Sequence, residues 1–171
     1  MNEIELAGER VRLRRLRADD RERLREILAE PGVARWWGSL NADAAVDEWL
    51  EEDAESVGFA IEVAGEVAGS IQYAEENEAE YRHAGIDLFL TNGHQGQGLG
   101  PDAIRTLARY LFEVRGHHRL TIDPAASNER AIRAYRRVGF RPVGIMRRYE
   151  RGPDGTWHDG LLMDLLADEL S

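Results

Sequence analysis

A cluster of glycines in the middle of the chain is the clearest sign of a chemical site. The stretch HQGQGLGPDAI, residues 94–104, places Gly96, Gly98 and Gly100 at alternate positions before a proline and an apolar run. Glycine lacks a side chain, so such a cluster lets a ligand approach the main chain closely. The N–H groups and dipole of the helix predicted after it would attract an anion such as a phosphate. A tight strand-to-helix connection without a ligand would leave the same pattern.

The spacing of these glycines excludes two common phosphate-binding loops. A dinucleotide-binding loop needs the pattern G-x-G-x-x-G near the first strand, whereas this chain has G-x-G-x-G at its centre. The stretch also lacks the Gly-Lys-Ser/Thr ending of a Walker A loop. The sequence therefore points to a different type of anion ligand.

Two aspartates stand at positions where a carboxylate could do chemistry. Asp87 interrupts the apolar strand HAGIDLFL, residues 83–90, and Asp123 ends the next predicted strand. Carboxylates in such strands are rarely buried unless they are paired. At neutral pH, either could accept a proton, directly or through water, or hold a cation. The alternatives are an edge or bulge position for Asp87 and a turn-capping role for Asp123.

The elements that must position these residues follow from hydrophobic periodicity and from turn signals. Helices are predicted at residues 18–30 (capped near Asp19 and ending before Pro31), 41–53, 101–115 and 127–139. Strands are predicted at residues 10–16, 83–90, 118–124, 141–151 and 157–167, with a hairpin over residues 57–74. The order β-α-α-β-β-β-α-β-α-β-β predicts a mixed α/β fold with a central sheet covered by helices.

Composition limits the partners and the location of the protein. The 171 residues suit one domain, 1–171, and carry a net charge of −10, with 13 acidic and no basic residues between positions 41 and 80. This imbalance argues against nucleic acid and suits a cationic ligand, although it could be a solvated surface. No apolar stretch is long enough to span a membrane, and the absence of cysteine fits a cytoplasmic protein. The five histidines lack metal-binding spacing, so no metal is predicted.

Two motifs together resemble one enzyme superfamily. The segment QGQGLG, residues 95–100, resembles the acyl-CoA pyrophosphate loop Q/R-x-x-G-x-G/A of the GCN5-related N-acetyltransferase (GNAT) superfamily. The segment NERAIRAYRRVGF, residues 128–140, resembles the N-x-x-A-x-x-x-Y-x-x-x-G-F segment of the same superfamily. The resemblance implies the GNAT fold, a mixed central sheet whose central strands splay apart between flanking helices. It also implies acetyl-CoA as the acyl donor for transfer to an amine.

The resemblance assigns roles to individual residues. Tyr135 matches the acid that protonates the departing thiolate, although its helical spacing also fits a core aromatic, and Asp87 and Asp123 are the candidate bases. Asn128 matches a pantetheine-binding position, and one N–H in β-strand 83–90, that of Leu90, would face the thioester oxygen. The residues implied to bind the cofactor are Leu88, Phe89, Leu90, Gln95, Gly96, Gln97, Gly98, Leu99, Gly100 and Asn128.

Three further segments resemble the aminoglycoside 6′-N-acetyltransferases within this superfamily. ARWWG at residues 34–38 is similar to their Trp-Trp-Gly segment, RHAGID at 82–87 to their Arg-Gly-Ile-Asp strand, and TIDP at 121–124 to their Thr-Asp-Pro segment. The resemblance implies a polycationic acceptor that is attacked at its 6′-amino group and held by aromatic and acidic side chains. The implied substrate-binding residues are Trp36, Trp37, Glu76, Asp87 and Asp123.

Some features depart from that subgroup and leave alternatives open. The Trp pair that the subgroup carries before the 83–90 strand is replaced by EENEAEY, so Glu76 aligns only loosely, and the tail resembles ribosomal-protein and small-molecule acetyltransferases. Trp36 and Trp37 could simply pack against the first helix. The acceptor could then be a protein N-terminus, a polyamine or a siderophore precursor, or the chain could be a non-catalytic acyl-CoA-binding module. The sequence fits a monomer or a homodimer.

Overall fold

One mixed β-sheet organises the chain in a computed structural model that describes residues 3–37, 42–51, 53 and 55–171. The strands are β1 (Glu5–Ala7), β2 (Arg12–Arg15), β3 (Ser56–Val63), β4 (Glu66–Glu76), β5 (His83–Leu90), β6 (Arg119–Ile122), β7 (Arg141–Arg151) and β8 (Trp157–Leu166). The helices are α1 (Arg21–Ala29), α2 (Pro31–Trp37), α3 (Ala42–Leu50), α4 (Leu99–Glu113) and α5 (Glu129–Val138). Their order in the sheet is β1-β2-β3-β4-β5-β6-β8-β7, and β5 and β6 run parallel whereas the other neighbours are antiparallel.

Two hydrophobic clusters cover the two faces of the sheet. Side chains alternate between the faces along a strand, and along β5 Ile86 and Leu90 join the cluster that contains α4, whereas Phe89 joins the cluster of α1, α2 and α3. Helix α4 presents Ile104 and Leu107 to its cluster, as its predicted apolar spacing requires. The sheet is therefore covered by helices on both faces, as predicted.

The sequence pattern missed two elements, β1 and α2. Strand β1 is only three residues long, which is too short to show alternation. The Pro31–Gly32 pair correctly predicted the end of α1, because Glu30 adopts an extended conformation. Pro31 is also the first residue of α2, a position where its fixed φ favours a new helix. Gly38, Asn41 and Glu52, which belong to predicted segments, lie outside the described residues.

The two parallel strands at the centre separate soon after they meet. Their pairing is limited to Ala84 with Leu120 and Gly85 with Thr121. Beyond this point β5 stays paired with β4 as far as Leu90, whereas β6 stays paired with β8. The predicted splay of the central strands is confirmed, and it leaves a gap beside the second half of β5.

Buried charged side chains stabilise the end of the gap at which β5 and β6 are still paired. Glu75 pairs with Ala84 in the sheet, and its side chain is completely buried. Its carboxylate accepts a hydrogen bond from the Arg115 guanidinium at 2.7 Å and also contacts the His117 ring. Arg115 and His117 lie just before β6 in the chain. Their contacts with Glu75 therefore fix where β6 begins relative to β4 and β5.

A buried aspartate ties the start of α4 to the segment before β2. The Asp102 carboxylate accepts hydrogen bonds from the backbone N–H groups of Glu9, Arg10 and Val11 at 3.0, 2.8 and 3.0 Å. Asp102 lies in the first turn of α4, directly after the glycine cluster. The glycine cluster is thereby anchored to the edge of the sheet. No helix in the described part of the chain is long and apolar enough to cross a membrane.

Replacing Asp102 should therefore destabilise the fold. Asp102→Ala leaves three backbone N–H groups without their acceptor, and we expect a loss of about 2–4 kcal/mol in the free energy of unfolding. Urea denaturation would measure this loss. Asp168→Ala, at an exposed carboxylate, is the control and should change stability by less than about 0.5 kcal/mol. Equal losses in the two variants would contradict the anchoring role of Asp102.

Candidate active site

The gap between β5 and β6 opens into a cleft with two hollows. Their volumes are about 270 and 380 Å³, and Asp87, Ile122 and Asp123 line both of them. The first hollow lies beside α3 and is further lined by Glu48, Trp49, Glu51, Gln72 and Tyr73, among others. The second lies between α2, α5 and β7 and is further lined by Trp36, Trp37, Leu88, Asn128, Tyr135, Tyr149 and Glu150, among others. The predicted site residues from four separate segments thus meet at one cleft.

The Asp87 carboxylate is the first titratable group of this cleft. Burial raises the pKa of Asp87 to about 7, and the charges of Asp123 and Glu150 add to the rise. The side chain is surrounded by protein groups yet exposed to the solvent of the cleft, and that solvent screens part of the effect. A carboxyl group with this pKa can accept and release a proton near neutral pH.

The Asp123 carboxylate faces the same cleft but has a hydrogen-bond donor. The Tyr149 hydroxyl donates to Asp123 Oδ2 at 2.8 Å. Burial raises the pKa of Asp123, and the hydrogen bond from Tyr149 opposes this rise. The same bond is the main reason why the pKa of Tyr149 rises to about 12. The carboxylate of Asp123 thus bonds to β7 and also to its own backbone N–H, and the choice between a capping and a chemical role stays open.

Tyr135 contributes a hydroxyl from α5. It packs partly against the core and against Phe140, with ring centroids 6.4 Å apart, while its side chain also lines the second hollow. Burial, followed by the charges of Asp87 and Asp123, raises the pKa of Tyr135 above its ordinary value. The hydroxyl therefore stays protonated at neutral pH and can donate a proton. Tyr135 therefore packs partly in the core and also lines the cleft, and its role as the acid stays a prediction.

The two predicted tryptophans differ in their environments. Trp37 Nε1 donates to the Leu88 carbonyl at 3.1 Å, and its ring meets those of Trp49 and Phe89 edge-on at 5.5 and 5.1 Å. Trp36 lies under the Arg35 guanidinium at 4.7 Å. Both line the second hollow, but Trp37 is mainly a packing residue that joins α2 to β5. A role of either residue in substrate binding stays a prediction.

The backbone of β5 faces the gap at alternate residues. The carbonyls of Leu88 and Leu90 accept hydrogen bonds from Trp37 and from the Gln95 side chain. The N–H and C=O of one residue in an antiparallel strand point to the same side. The N–H groups of Leu88 and Leu90 therefore point away from β4 and into the gap, where a ligand could pair with them.

The glycine cluster forms a turn with free amide groups. Gly96 and Gly98 have φ angles of 75° and 79°, a backbone conformation that L side chains rarely adopt. Within the described part of the chain, the N–H groups of Gly96 and Gly98 have no hydrogen-bond partner. The first N–H groups of α4, at Leu99 and Gly100, also lack intrahelical partners. Together these groups form a concave set of donors suited to an anion.

Two arginines reinforce this anion site, and sequence analysis missed both. The Arg10 guanidinium donates to the Gln97 carbonyl. The Arg130 guanidinium contacts the Gln95 side chain at 3.4 Å and stands 2.6 Å from where a Cβ on Gly96 would lie. They are 120 positions apart and carry no motif, so only the fold brings them together. Their positive charges would attract a negatively charged phosphate group.

The remaining predicted residues differ in whether their side chains lie at the cleft. Asn128 Oδ1 caps α5 by accepting from Ala131 N at 3.2 Å, and among the described residues its amide NH₂, which lies at the cleft, has no hydrogen-bond partner. The Gln97 side chain donates to the Gly93 carbonyl and so holds the loop in shape. Glu76 lies on the same face of β4 as Gln72, but it is exposed beyond the cleft and accepts from Glu78 N. The structure does not bring Glu76 to the other site residues.

Comparison with known proteins decides the family. A family model described as an acetyltransferase (GNAT) domain matches residues 10–141. The chain belongs to the GNAT acetyltransferase family. It is similar to aminoglycoside N(6′)-acetyltransferase type 1 of Klebsiella pneumoniae, at 29% identity over 87% of this chain and 81% of that protein. It is also similar to spermidine N(1)-acetyltransferase of Escherichia coli strain K12, at 29% identity over 78% of this chain and 74% of that protein.

A solved structure supports the same fold for this GNAT acetyltransferase. Mycobacterium smegmatis RimJ in complex with CoA-disulfide superposes with a TM-score of 0.87 at 23% identity, covering 99% of this chain and 92% of that one. The predicted GNAT fold is thus confirmed. Enzymes of the family take their acyl group from acetyl-CoA, and the chain is an acetyl-CoA-dependent N-acetyltransferase. The unpaired amides of the glycine turn and the two adjacent guanidinium groups fit the phosphates of that substrate.

Arg130 should contribute to the affinity for acetyl-CoA. Arg130→Ala removes one of the two guanidinium groups beside the glycine turn, and we expect the KM for acetyl-CoA to rise about 5- to 30-fold. Steady-state kinetics at varied acetyl-CoA concentration would measure it. Arg133→Ala, one turn further along α5, is the matched control, with only a weak surface ion pair to Glu129. An unchanged KM in Arg130→Ala would remove Arg130 from the donor site.

Proposed function

We propose that the acceptor of this acetyltransferase is a small polycationic amine, with the 6′-amino group of an aminoglycoside as the first candidate. The observation that carries the proposal is the convergence of Asp87, Asp123 and Glu150 on one cleft. Carboxylates from three different strand regions repel one another unless a cation lies between them. A polycation would relieve this repulsion, and an uncharged or acidic acceptor would not.

The surrounding charge supports a cationic acceptor. Helix α3 contributes Glu48 and Glu51 to the wall of the first hollow. Both belong to the segment 41–80, which has 13 acidic and no basic residues. Such a field concentrates cations near the cleft. The relatives described above, by their names, act on an aminoglycoside and on spermidine, and both compounds carry several amines.

In the proposed complex, the donor side of the cleft holds acetyl-CoA. The amides of Gly96, Gly98, Leu99 and Gly100, with Arg10 and Arg130, bind the pyrophosphate, whereas the Gln95 N–H donates to the Asn92 carbonyl at 3.3 Å. The β5 backbone at Leu88–Leu90 pairs with the pantetheine arm, which the Asn128 amide also contacts. The Leu90 N–H donates to the thioester oxygen as negative charge develops there.

The proposed reaction moves one acetyl group and two protons. The bound thioester supplies the acetyl group: the carbon–nitrogen bond to the acceptor forms and the carbon–sulfur bond breaks. Asp87 takes the proton that the amine must lose, directly or through water. Tyr135 gives its proton to the departing thiolate, and solvent then restores the starting protonation of both residues. The products are the acetamide and free CoA.

A second candidate acceptor is a protein N-terminus or a siderophore precursor. Such an acceptor needs one amine in the cleft and no further cation. The non-catalytic alternative, an acyl-CoA-binding module, would not need an acid and a base on opposite sides of the gap. The presence of Tyr135 and Asp87 at one cleft supports catalysis.

An acceptor panel tests this proposal. Release of free CoA is measured with acetyl-CoA and, in turn, kanamycin, tobramycin, spermidine and alanine- or serine-terminated peptides. We expect kcat/KM for an aminoglycoside to exceed that for any peptide by at least about 100-fold, equivalent to about 2.7 kcal/mol of transition-state binding. Turnover confined to peptides would overturn the proposed acceptor class. Binding of CoA without turnover of any amine in the panel would place the acceptor outside the classes tested.

The pH dependence should identify Asp87 as the proton acceptor. Asp87 must be ionised to accept the proton, and its pKa is about 7, so kcat/KM should rise with pH until about that value. Asp87→Asn should lower kcat by about 10²- to 10⁴-fold and remove this acid limb. The profile is measured with one aminoglycoside between about pH 5.5 and 9.5, with Asp168→Asn as the control. Full turnover and an intact acid limb in Asp87→Asn would exclude this role.

A further inference from the structure

Strand β7 carries a bulge that directs a tyrosine into the cleft. Between the pairs Met146–Gly160 and Glu150–His158, β7 advances four residues while β8 advances two. Two extra residues on β7 are therefore accommodated in this interval. Tyr149 lies within this bulged interval, and its hydroxyl donates to Asp123 at 2.8 Å. Nothing in the sequence motifs singled out this tyrosine.

The bulge is built from specific local contacts. Arg148 has a φ angle of 49°, which is uncommon for a residue other than glycine, and its N–H donates to Asp159 Oδ1 at 2.8 Å. A Cβ on Gly160 would lie 3.5 Å from Cγ of Tyr149 and 3.3 Å from Cε of Met146. Gly160 on β8 thus packs directly against the tyrosine ring, at ordinary van der Waals distance. Such strain is retained where the surrounding structure enforces it, often at functional sites.

The bulge makes the two aspartates of the cleft chemically different. Asp123 accepts the hydrogen bond from Tyr149. Within the described residues, no side chain or backbone N–H donates to the Asp87 carboxylate. Only burial and the charges of neighbouring carboxylates affect the pKa of Asp87. The titratable groups that face Asp123 are Asp87 on β5, Tyr135 on α5, and Tyr149 and Glu150 on β7, with Glu48 and Glu51 on α3 across the first hollow and His158 on β8 beside Glu150.

We propose that Tyr149 is a positioning residue that holds Asp123 as the cation-binding carboxylate and so leaves Asp87 to take the proton. This inference rests on the proposed function for its reference to a cationic acceptor. A hydrogen bond from a hydroxyl to a carboxylate favours the ionised form of that carboxylate. The bond also fixes the direction in which the other oxygen of Asp123 points. An ionised Asp123 holds the acceptor ammonium, and its charge makes Asp87 a stronger base.

The inference is first tested without any acceptor. The carboxyl carbon of Asp123 is titrated by NMR in the wild type, in Tyr149→Phe and in the matched control Tyr81→Phe, whose ring is 67% exposed. We expect the apparent pKa of Asp123 to be higher in Tyr149→Phe than in the wild type, because the bond that favours the anion is lost. Tyr81→Phe should leave it unchanged. An unchanged pKa in Tyr149→Phe overturns the inference, whatever the acceptor is.

The second test separates acceptor binding from the chemical step. In Tyr149→Phe, we expect the aminoglycoside KM to rise roughly tenfold at the acid end of the pH range, with kcat kept within about threefold. The increase should shrink as the pH is raised, because Asp123 then becomes ionised in both proteins. A purely structural defect would not depend on pH in this way. Loss of kcat with an unchanged KM would overturn the proposed division, in which Asp123 binds the cation and Asp87 takes the proton.

A double-mutant cycle tests whether Tyr149 acts through Asp123. If Tyr149 acts through Asp123, then Asp123→Asn and the double variant Asp123→Asn/Tyr149→Phe should have the same acceptor KM within about threefold. Additive effects would overturn the coupling. A shifted Asp123 pKa in an enzyme that acetylates only peptides would confirm the action of Tyr149 on Asp123 and overturn only the proposed acceptor class. The two failures are thus distinguishable.

Discussion

The short parallel pairing between β5 and β6 is the constraint on which the rest of the structure depends. Only Ala84–Leu120 and Gly85–Thr121 join the two halves of the sheet at this point. A full ladder would have used the β5 backbone and closed the cleft between Asp87 and Asp123. Because the pairing stops, β5 has backbone donors for a ligand, and both aspartates face an open space. The buried Glu75 contacts keep the strands from separating at the other end.

The sequence predicted the parts of the site that lie within one segment. The glycine turn, the start of α4 and the Asn128 cap of α5 follow from local backbone preferences, which need no knowledge of distant residues. Strand β5 was predicted at its observed bounds because its apolar run ends at a turn on each side. The family resemblance then supplied the relative placement of these segments, and the comparisons confirmed the fold.

The parts that could not be predicted depend on contacts between distant segments. The β7 bulge has no glycine at Arg148 to mark it, and its conformation is stabilised by the Asp159 side chain across the hairpin. Arg10 reaches the glycine turn because Asp102 fixes the segment before β2 to α4, whereas Arg130 reaches it from α5. Strand β1 and helix α2 were missed because three residues show no period and because Pro31 both ends and begins a helix.

In the proposed complex, the residues that face the acceptor come from other segments of the chain than the glycine turn. Helix α3 lines the first hollow, whereas the β7 bulge lines the second hollow together with Leu88 and Asn128. Under this assignment, substitutions in α3 would change which amine enters with little effect on the affinity for the acyl donor. This separation gives a physical route by which one fold acquires acceptors as different as an antibiotic and a polyamine.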